Sequence, residues 1–161
     1  MAADGSGDPQ RLAEDIARRV RPRETSSDLL GIEIVSVGPG RCTTRMRVRD
    51  DMLNGGLVAH GGLVFALADT AFGYACCSHG PQAVAQQASI NWLKPAKAGD
   101  TLTAACVEVS RTRKSGVYDV TVSDQRGETV AILRCLSRTL GFPAGTGRID
   151  SGRAPPEGAK P

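Results

Sequence analysis

Residues 60–74, HGGLVFALADTAFGY, decide the fold, because they form an apolar segment of helical length that carries a single carboxylate, Asp69. A helix that is apolar on nearly every side is normally buried in a protein core or in a membrane. The apolar run from Gly61 to Cys77 is short for a membrane span and contains Asp69, so we predict a core helix. A buried carboxylate is costly, which makes Asp69 a candidate functional group.

Two glycines, Gly61 and Gly62, begin this predicted helix. The first N–H groups of a helix have no partner within it, and they lie at the positive end of the helix dipole. Glycine also lets an incoming carbonyl approach the backbone closely. The segment therefore combines a carboxylate with an anion-binding helix start, which are two parts of an acyl-transfer site. The alternative is a structural Asp69 that makes only a core hydrogen bond.

The rest of the chain reads as strands arranged around this helix. Alternation from Ile32 to Val48, interrupted by Gly38-Pro39-Gly40, predicts a hairpin. Strand-like runs follow the helix at 83–93, 101–112, 116–123 and 128–140. We predict an α+β fold in which an antiparallel sheet wraps around one long buried helix. The predicted divisions are an N-terminal extension with a short helix over 1–25, one domain over 26–141 and a disordered tail over 142–161.

Composition narrows the function classes. The formal net charge of +3 over 161 residues and the low aromatic content argue against nucleic-acid binding. Five cysteines without a C-x-x-C pair, together with the absence of a secretory segment, predict reduced thiols in a cytoplasmic protein that does not insert in membranes. Cys76 and His79 have a metal-like spacing, but no second ligand pair accompanies them, so no metal site is expected. The aromatic side chains are expected in the core, with one or two of them available to line an aryl pocket: Phe65, Phe72, Tyr74 and Trp92.

Several motifs together resemble one protein family. They are Asn54, His60-Gly61-Gly62, Phe65, Leu67-Ala68-Asp69 and Ala71-Phe72, with further blocks at 93–102 and 116–120. This pattern resembles the signature of PaaI-type thioesterases of the 4-hydroxybenzoyl-CoA thioesterase superfamily, which have the hotdog fold. The resemblance covers about residues 26–141 and implies the same fold here.

The resemblance also implies an activity, the hydrolysis of acyl-CoA thioesters to a free acid and CoA. The implied substrates are phenylacetyl-CoA, its hydroxylated derivatives or short acyl-CoAs. Asp69 would act as nucleophile or general base, and the Gly61 N–H would polarise the thioester carbonyl. Asn54 and His60 would orient the carbonyl or the attacking water, although His60 also suits a helix cap and Asn54 a turn. No cofactor is implied, since CoA is part of the substrate.

A second group of residues is expected to bind the substrate. Related enzymes often place a hydroxyl residue after the helix, where this chain has Gln86 and Gln87. A basic cluster around Arg113 and Lys114 suits contact with the phosphates of CoA, or else forms a solvated hairpin. The full set of substrate and CoA candidates is Gly62, Thr70, Gln86, Gln87, Arg113, Lys114 and Ser115.

The spacing of Asp69 and Gly61 has a consequence for assembly. They are eight residues apart on one helix, which places them about 12 Å apart along its axis. One carbonyl carbon cannot lie within reach of both. A site that uses both groups needs two antiparallel copies of the helix, and therefore a two-fold homodimer. A homotetramer is expected as the assembly of two such dimers.

Two alternatives remain open at this stage. A hotdog domain can serve as a non-catalytic sensor that binds acyl-CoA, and the retained Asp69 argues against that role here. A hotdog enoyl-CoA hydratase or dehydratase would need an acid–base pair, for which His60 and Asp69 are available. The motif spacing matches the thioesterase pattern better.

Overall fold

One six-stranded antiparallel sheet packs against a long central helix. The computed structural model describes residues 7–147 and 149. The helices are α1 (Pro9–Val20), α2 (Thr25–Leu30) and α3 (Gly61–Cys77), with short 3-10 turns at Arg21–Arg23 and Asp50–Met52. The strands are β1 (Glu33–Gly38), β2 (Arg41–Arg47), β3 (Pro81–Trp92), β4 (Thr101–Arg111), β5 (Ser115–Ser123) and β6 (Thr129–Pro143). Their order in the sheet is β1-β2-β4-β5-β6-β3, so β1 and β3 form its edges.

Helix α3 supplies the centre of the core, as the apolar segment predicts. Leu67, Ala68, Ala71 and Phe72 are fully buried against the sheet. The Phe72 ring packs on Tyr118 of β5 with 5.4 Å between the ring centroids. Thr44 of β2 donates its hydroxyl hydrogen to the Leu67 carbonyl at 3.1 Å, which ties the middle of the helix to the sheet. Burial of these side chains leaves one stripe of α3 turned away from the sheet.

Helix α1 covers part of that stripe. Asp8 caps it by accepting the Gln10 N–H at 3.0 Å, and Pro9 follows at a position where no backbone donor is needed. Ala13 and Ile16 are buried in the common core. This helix lies within the predicted N-terminal extension, and it packs on the domain instead of extending from it.

Several boundaries differ from the prediction. A second helix, α2, begins at Thr25, the last residue of the predicted extension, where no helical period marks it. The domain is predicted to end at residue 141, whereas β6 continues to Pro143 and Ala144 is fully buried. For the predicted tail over 142–161, residues 148 and 150–161 lie outside the described residues. Trp92, expected in the core, is 54% exposed at the end of β3.

Candidate active site

The start of α3 presents one free backbone donor. His60 is the N-cap, and its Nδ1 accepts the Gly62 N–H at 3.0 Å. The Gly61 N–H has no acceptor within residues 7–147. The Trp92 indole N–H donates to the Gly61 carbonyl at 3.3 Å. In the protomer, His60 thus serves as a helix cap, the Gly62 N–H is occupied, and the Gly61 N–H is the donor available to a ligand.

Asn54 lies beside this donor. Its Oδ1 accepts the Gly56 N–H at 2.8 Å and the Val58 N–H at 3.4 Å, which fixes the loop before α3. Within the described chain, its side-chain amide hydrogens have no acceptor. Asn54 and Gly61 line the same cavity of about 290 Å³, together with Trp92. The structure therefore places Asn54 and Gly61 on the wall of one cavity.

Asp69 lies in a different cavity, which we call the Asp69 cavity. It also has a volume of about 290 Å³, and it is lined by Ala66, Asp69, Thr70 and Gly73 of α3 together with Ile16 and Val20 of α1. Burial raises the pKa of the Asp69 carboxyl above its ordinary value, and the negative charge of Glu24 raises it further. The Thr70 hydroxyl donates to the Ala66 carbonyl at 2.9 Å, so its hydrogen is already used within the helix.

Glu24 is a site residue that the sequence analysis missed. It lines the Asp69 cavity and accepts the Tyr74 hydroxyl hydrogen at 2.7 Å. It follows the Arg21–Arg23 turn and precedes the six-residue helix α2, so no periodic pattern marks it. Its carboxylate matters because a second negative charge near Asp69 makes the Asp69 carboxylate a stronger base.

The remaining candidates separate into two groups. Gln86 and Gln87 are exposed on the edge strand β3, where a bulge interrupts the pairing with β6 between Ala85 and Gln87. Neither lines the Asp69 cavity of the protomer, whereas Gln82 does.

The β4–β5 hairpin holds the other group. Arg113 and Lys114 are exposed and line a groove of about 650 Å³, which we call the basic groove. The Ser115 hydroxyl lies 3.2 Å from the hydroxyl of Thr112 and serves the hairpin turn. The structure thus separates the hairpin cations from Gly61 by nearly the full length of α3.

Cys77 forms part of the wall of the Asp69 cavity at the other end of α3. Its Sγ accepts the Ala83 N–H at 3.4 Å and the Gln82 amide at 3.5 Å. A hydrogen bond from the Cys76 thiol lowers the pKa of Cys77. All five cysteines are buried and free.

The metal-like spacing of Cys76 and His79 does not produce a cluster. His79 Nε2 instead contacts Glu108 Oε2 at 2.7 Å. In the described ranges, no group of three His, Cys, Asp or Glu residues is placed to hold a metal ion. Among the same residues, no helix has the length and apolar character needed to cross a membrane.

Comparison with known proteins identifies the class to which this fold and site belong. The sequence profile of the Thioesterase superfamily matches residues 56–131, which include the Asn54–Gly61 loop from Gly56 onward and all of α3. The chain is 42% identical over 125 residues to the acyl-coenzyme A thioesterase PaaI of Escherichia coli K12, covering 78% of this chain and 89% of that protein. The chain therefore belongs to the thioesterase superfamily.

Solved structures agree with this assignment. The E. coli PaaI protein superposes with a TM-score of 0.83 at 39% identity, covering 84% of this chain and 99% of that one. A Streptococcus mutans protein bound to acetyl-CoA superposes with a TM-score of 0.67 at 37% identity, covering 69% and 90%. The predicted resemblance to PaaI-type thioesterases and the predicted hotdog fold are confirmed.

Proposed function

We propose that this protein hydrolyses acyl-CoA thioesters to a free acid and CoA. The observation that carries the proposal is the pairing of two groups on α3: a desolvated carboxylate, Asp69, facing a cavity, and a free N–H at Gly61. The relative in E. coli is named an acyl-CoA thioesterase, and the S. mutans structure holds acetyl-CoA, which supports the same substrate class here.

We propose that each site is shared by two protomers. Asp69 and Gly61 line different cavities, and eight residues of helix separate them by about 12 Å along the axis. An edge strand offers unpaired backbone groups for joining two sheets, and β3 is an edge strand of 12 residues. Pairing of two β3 strands around a two-fold axis would place two α3 helices antiparallel, with Asp69 of one protomer facing the α3 start of the other.

The proposed reaction uses Gly61 as the oxyanion donor and Asp69 as the base or nucleophile. The thioester oxygen accepts the Gly61 N–H, which stabilises negative charge as the carbonyl carbon becomes tetrahedral. As a base, Asp69 takes a proton from water while the water oxygen bonds to that carbon. As a nucleophile, it bonds to the carbon itself, and water hydrolyses the resulting anhydride. In both cases the C–S bond breaks and CoA leaves as a thiolate, which needs little help from an acid.

The finer parts of the proposal concern the substrate and the setting. We propose an aryl-acetyl group of the phenylacetyl or hydroxyphenylacetyl type, or a short acyl group, as the acyl part. We further propose that Asn54 orients the carbonyl through its free amide, that no cofactor takes part, and that the protein works in the cytoplasm as a homotetramer. The aromatic ring of Trp92, which lines the cavity at the start of α3, favours an aryl group.

The test is the hydrolysis of a panel of acyl-CoAs, which is monitored as the loss of thioester absorbance. We expect aryl-acetyl or short acyl esters to be cleaved, and Asp69→Asn to reduce kcat at least 100-fold while circular dichroism and sedimentation stay unchanged. Asp28→Asn, which changes an exposed carboxylate on α2, is the matched control. Cleavage that survives Asp69→Asn would remove Asp69 from the mechanism. Tight binding of the esters without cleavage would instead favour an acyl-CoA sensor.

A further inference from the structure

The basic groove collects three cations that make no ion pair. Arg19 at the end of α1 lines it together with Arg113 and Lys114 of the β4–β5 hairpin. None of the three forms a salt bridge within residues 7–147, and no carboxylate is among the lining residues. Unpaired cations that converge on one concave surface favour an anionic ligand, because each like charge raises the potential that the ligand meets.

The floor of the groove is apolar. Leu12, Leu140 and Phe142 line it together with the cations. A simple inorganic anion would gain nothing from this floor, whereas a ligand with a flat apolar ring beside its phosphates would use both surfaces. The groove therefore suits a phosphorylated nucleoside better than a free phosphate.

The groove is also held in place by hydrogen bonds between distant segments. The Ala144 N–H donates to the Gly80 carbonyl at 2.8 Å, which fixes the end of β6 beside the start of β3. Arg23 donates to the carbonyls of Gly145 and Gly147 at 2.9 and 3.1 Å, which ties the following turn to the end of α1. The Thr139 N–H donates to the Lys114 carbonyl at 2.9 Å, which fixes the hairpin. The three cations are thus carried on segments with defined positions.

Consecutive residues of β3 line the groove and the Asp69 cavity. Pro81 lines the groove, and the next residues of β3, Gln82 and Ala83, line the cavity. Helix α1 covers both spaces, with Leu12 and Arg19 over the groove and Ile16 and Val20 over the cavity. The cavity follows α3 from Ala66 to Cys77, a distance of about 16 Å along the axis, so its Cys77 end lies at the same end of α3 as the groove residues Gly80 and Pro81.

We propose that the basic groove binds the phosphorylated adenosine end of the CoA ester, with Arg19 of α1 as a phosphate-binding residue. The acyl thioester then lies at Asp69 of the same protomer, and the flexible arm that joins the two ends of CoA runs under α1 along α3. This inference rests on the proposed thioesterase function. In this arrangement the N-terminal helix is part of the substrate site. One protomer provides both Asp69 and the phosphate contacts to a substrate molecule, and the other protomer provides the Gly61 N–H.

The first experiment compares two esters of the same acyl group, one on CoA and one on pantetheine, which lacks the nucleotide. For Arg19→Gln, we expect the ratio of KM for the CoA ester to KM for the pantetheine ester to rise about tenfold. The reason is that the CoA ester loses one charge-assisted contact, whereas the pantetheine ester has no phosphate to make it. The matched control is Arg11→Gln, which removes an exposed arginine from α1 outside the groove. An unchanged ratio for Arg19→Gln would overturn the proposal.

A binding experiment separates this proposal from the proposed activity. Calorimetry with adenosine 3′-phosphate 5′-diphosphate, which has the phosphates of CoA without its thiol arm, needs no catalysis. We expect binding to the unmodified protein and to Arg11→Gln, and about tenfold weaker binding to Arg19→Gln. Equal affinity for all three proteins, or no binding to any, would overturn the groove assignment even if thioesters are hydrolysed. A failure of hydrolysis with Arg19-dependent binding would overturn the proposed function alone.

Discussion

Replacement of Gly61 by proline removes one backbone donor and little else. Gly61 is the first residue of α3, and its N–H has no acceptor within residues 7–147. Proline is well tolerated at the first position of a helix for this reason. A residue before proline favours extended backbone, and His60 already has φ −61° and ψ 127°. We therefore expect Gly61→Pro to fold and to keep its cap.

The side chain introduced at position 61 has its own effect, which needs a control. A Cβ at Gly61 would lie 3.0 Å from Trp92 Nε1, so the half-exposed indole must move slightly. Gly61→Ala introduces the same Cβ but keeps the N–H. The difference between the two variants therefore isolates the donor.

The expected magnitude follows from the role of the donor. Loss of one oxyanion donor typically reduces kcat about 10²–10³-fold, which corresponds to ~3–4 kcal/mol of transition-state stabilisation. We expect Gly61→Pro to show this loss relative to Gly61→Ala, with thermal unfolding of the two variants alike. The measurement is kcat for the best acyl-CoA substrate, with turnover monitored through thioester absorbance. Equal kcat for the two variants would refute the assignment of Gly61 as the donor.

Three further predictions test the shared site, the base and the core. Equal amounts of Asp69→Asn and Gly61→Pro subunits, mixed and exchanged after mild dissociation, should recover activity from about a quarter of the wild-type number of sites. Half of the random dimers are mixed, and each mixed dimer contains one intact shared site out of two. No recovery of activity would mean that each protomer is self-sufficient. Glu24→Gln removes a negative charge that raises the pKa of Asp69, so the acidic limb of kcat/KM should move to lower pH, while exposed Glu33→Gln should leave it in place. Phe72→Ala should cost about 3–5 kcal/mol in the free energy of unfolding measured with urea, because the ring is fully buried.

The parts of the fold that the sequence predicts are those with a strong period. The apolar run of α3 and the alternation of β2 leave little choice of structure, since each pattern exposes the wrong face in any other element. Helix α2 escaped prediction because six residues are too few to show a helical period. The end of β6 carries no such period, because the prolines and glycines over 142–161 indicate a tail, yet the end of this strand pairs with Pro81 at the sheet edge.

The candidate site residues that the sequence predicts are likewise those that stand in a strong local pattern. A carboxylate within an apolar helix and glycines at its start are visible in the sequence, so the sequence alone marks Asp69 and Gly61 as candidates. Glu24 and Arg19 carry no such mark, because charged residues normally point to solvent. Only the packing of α1 against α3 shows that both face the spaces beside Asp69.

The position of Cys77 opens the cavity to chemical labelling. Its thiol lines the space beside α3 that Asp69 also lines. Aromatic disulfide dyes, which report free CoA by thiol exchange, are therefore expected to modify the protein as well as the product. The same property is useful for trapping. A haloacetyl analogue of the substrate would alkylate Cys77 and tether a ligand inside the cavity, where its acyl group could be seen directly.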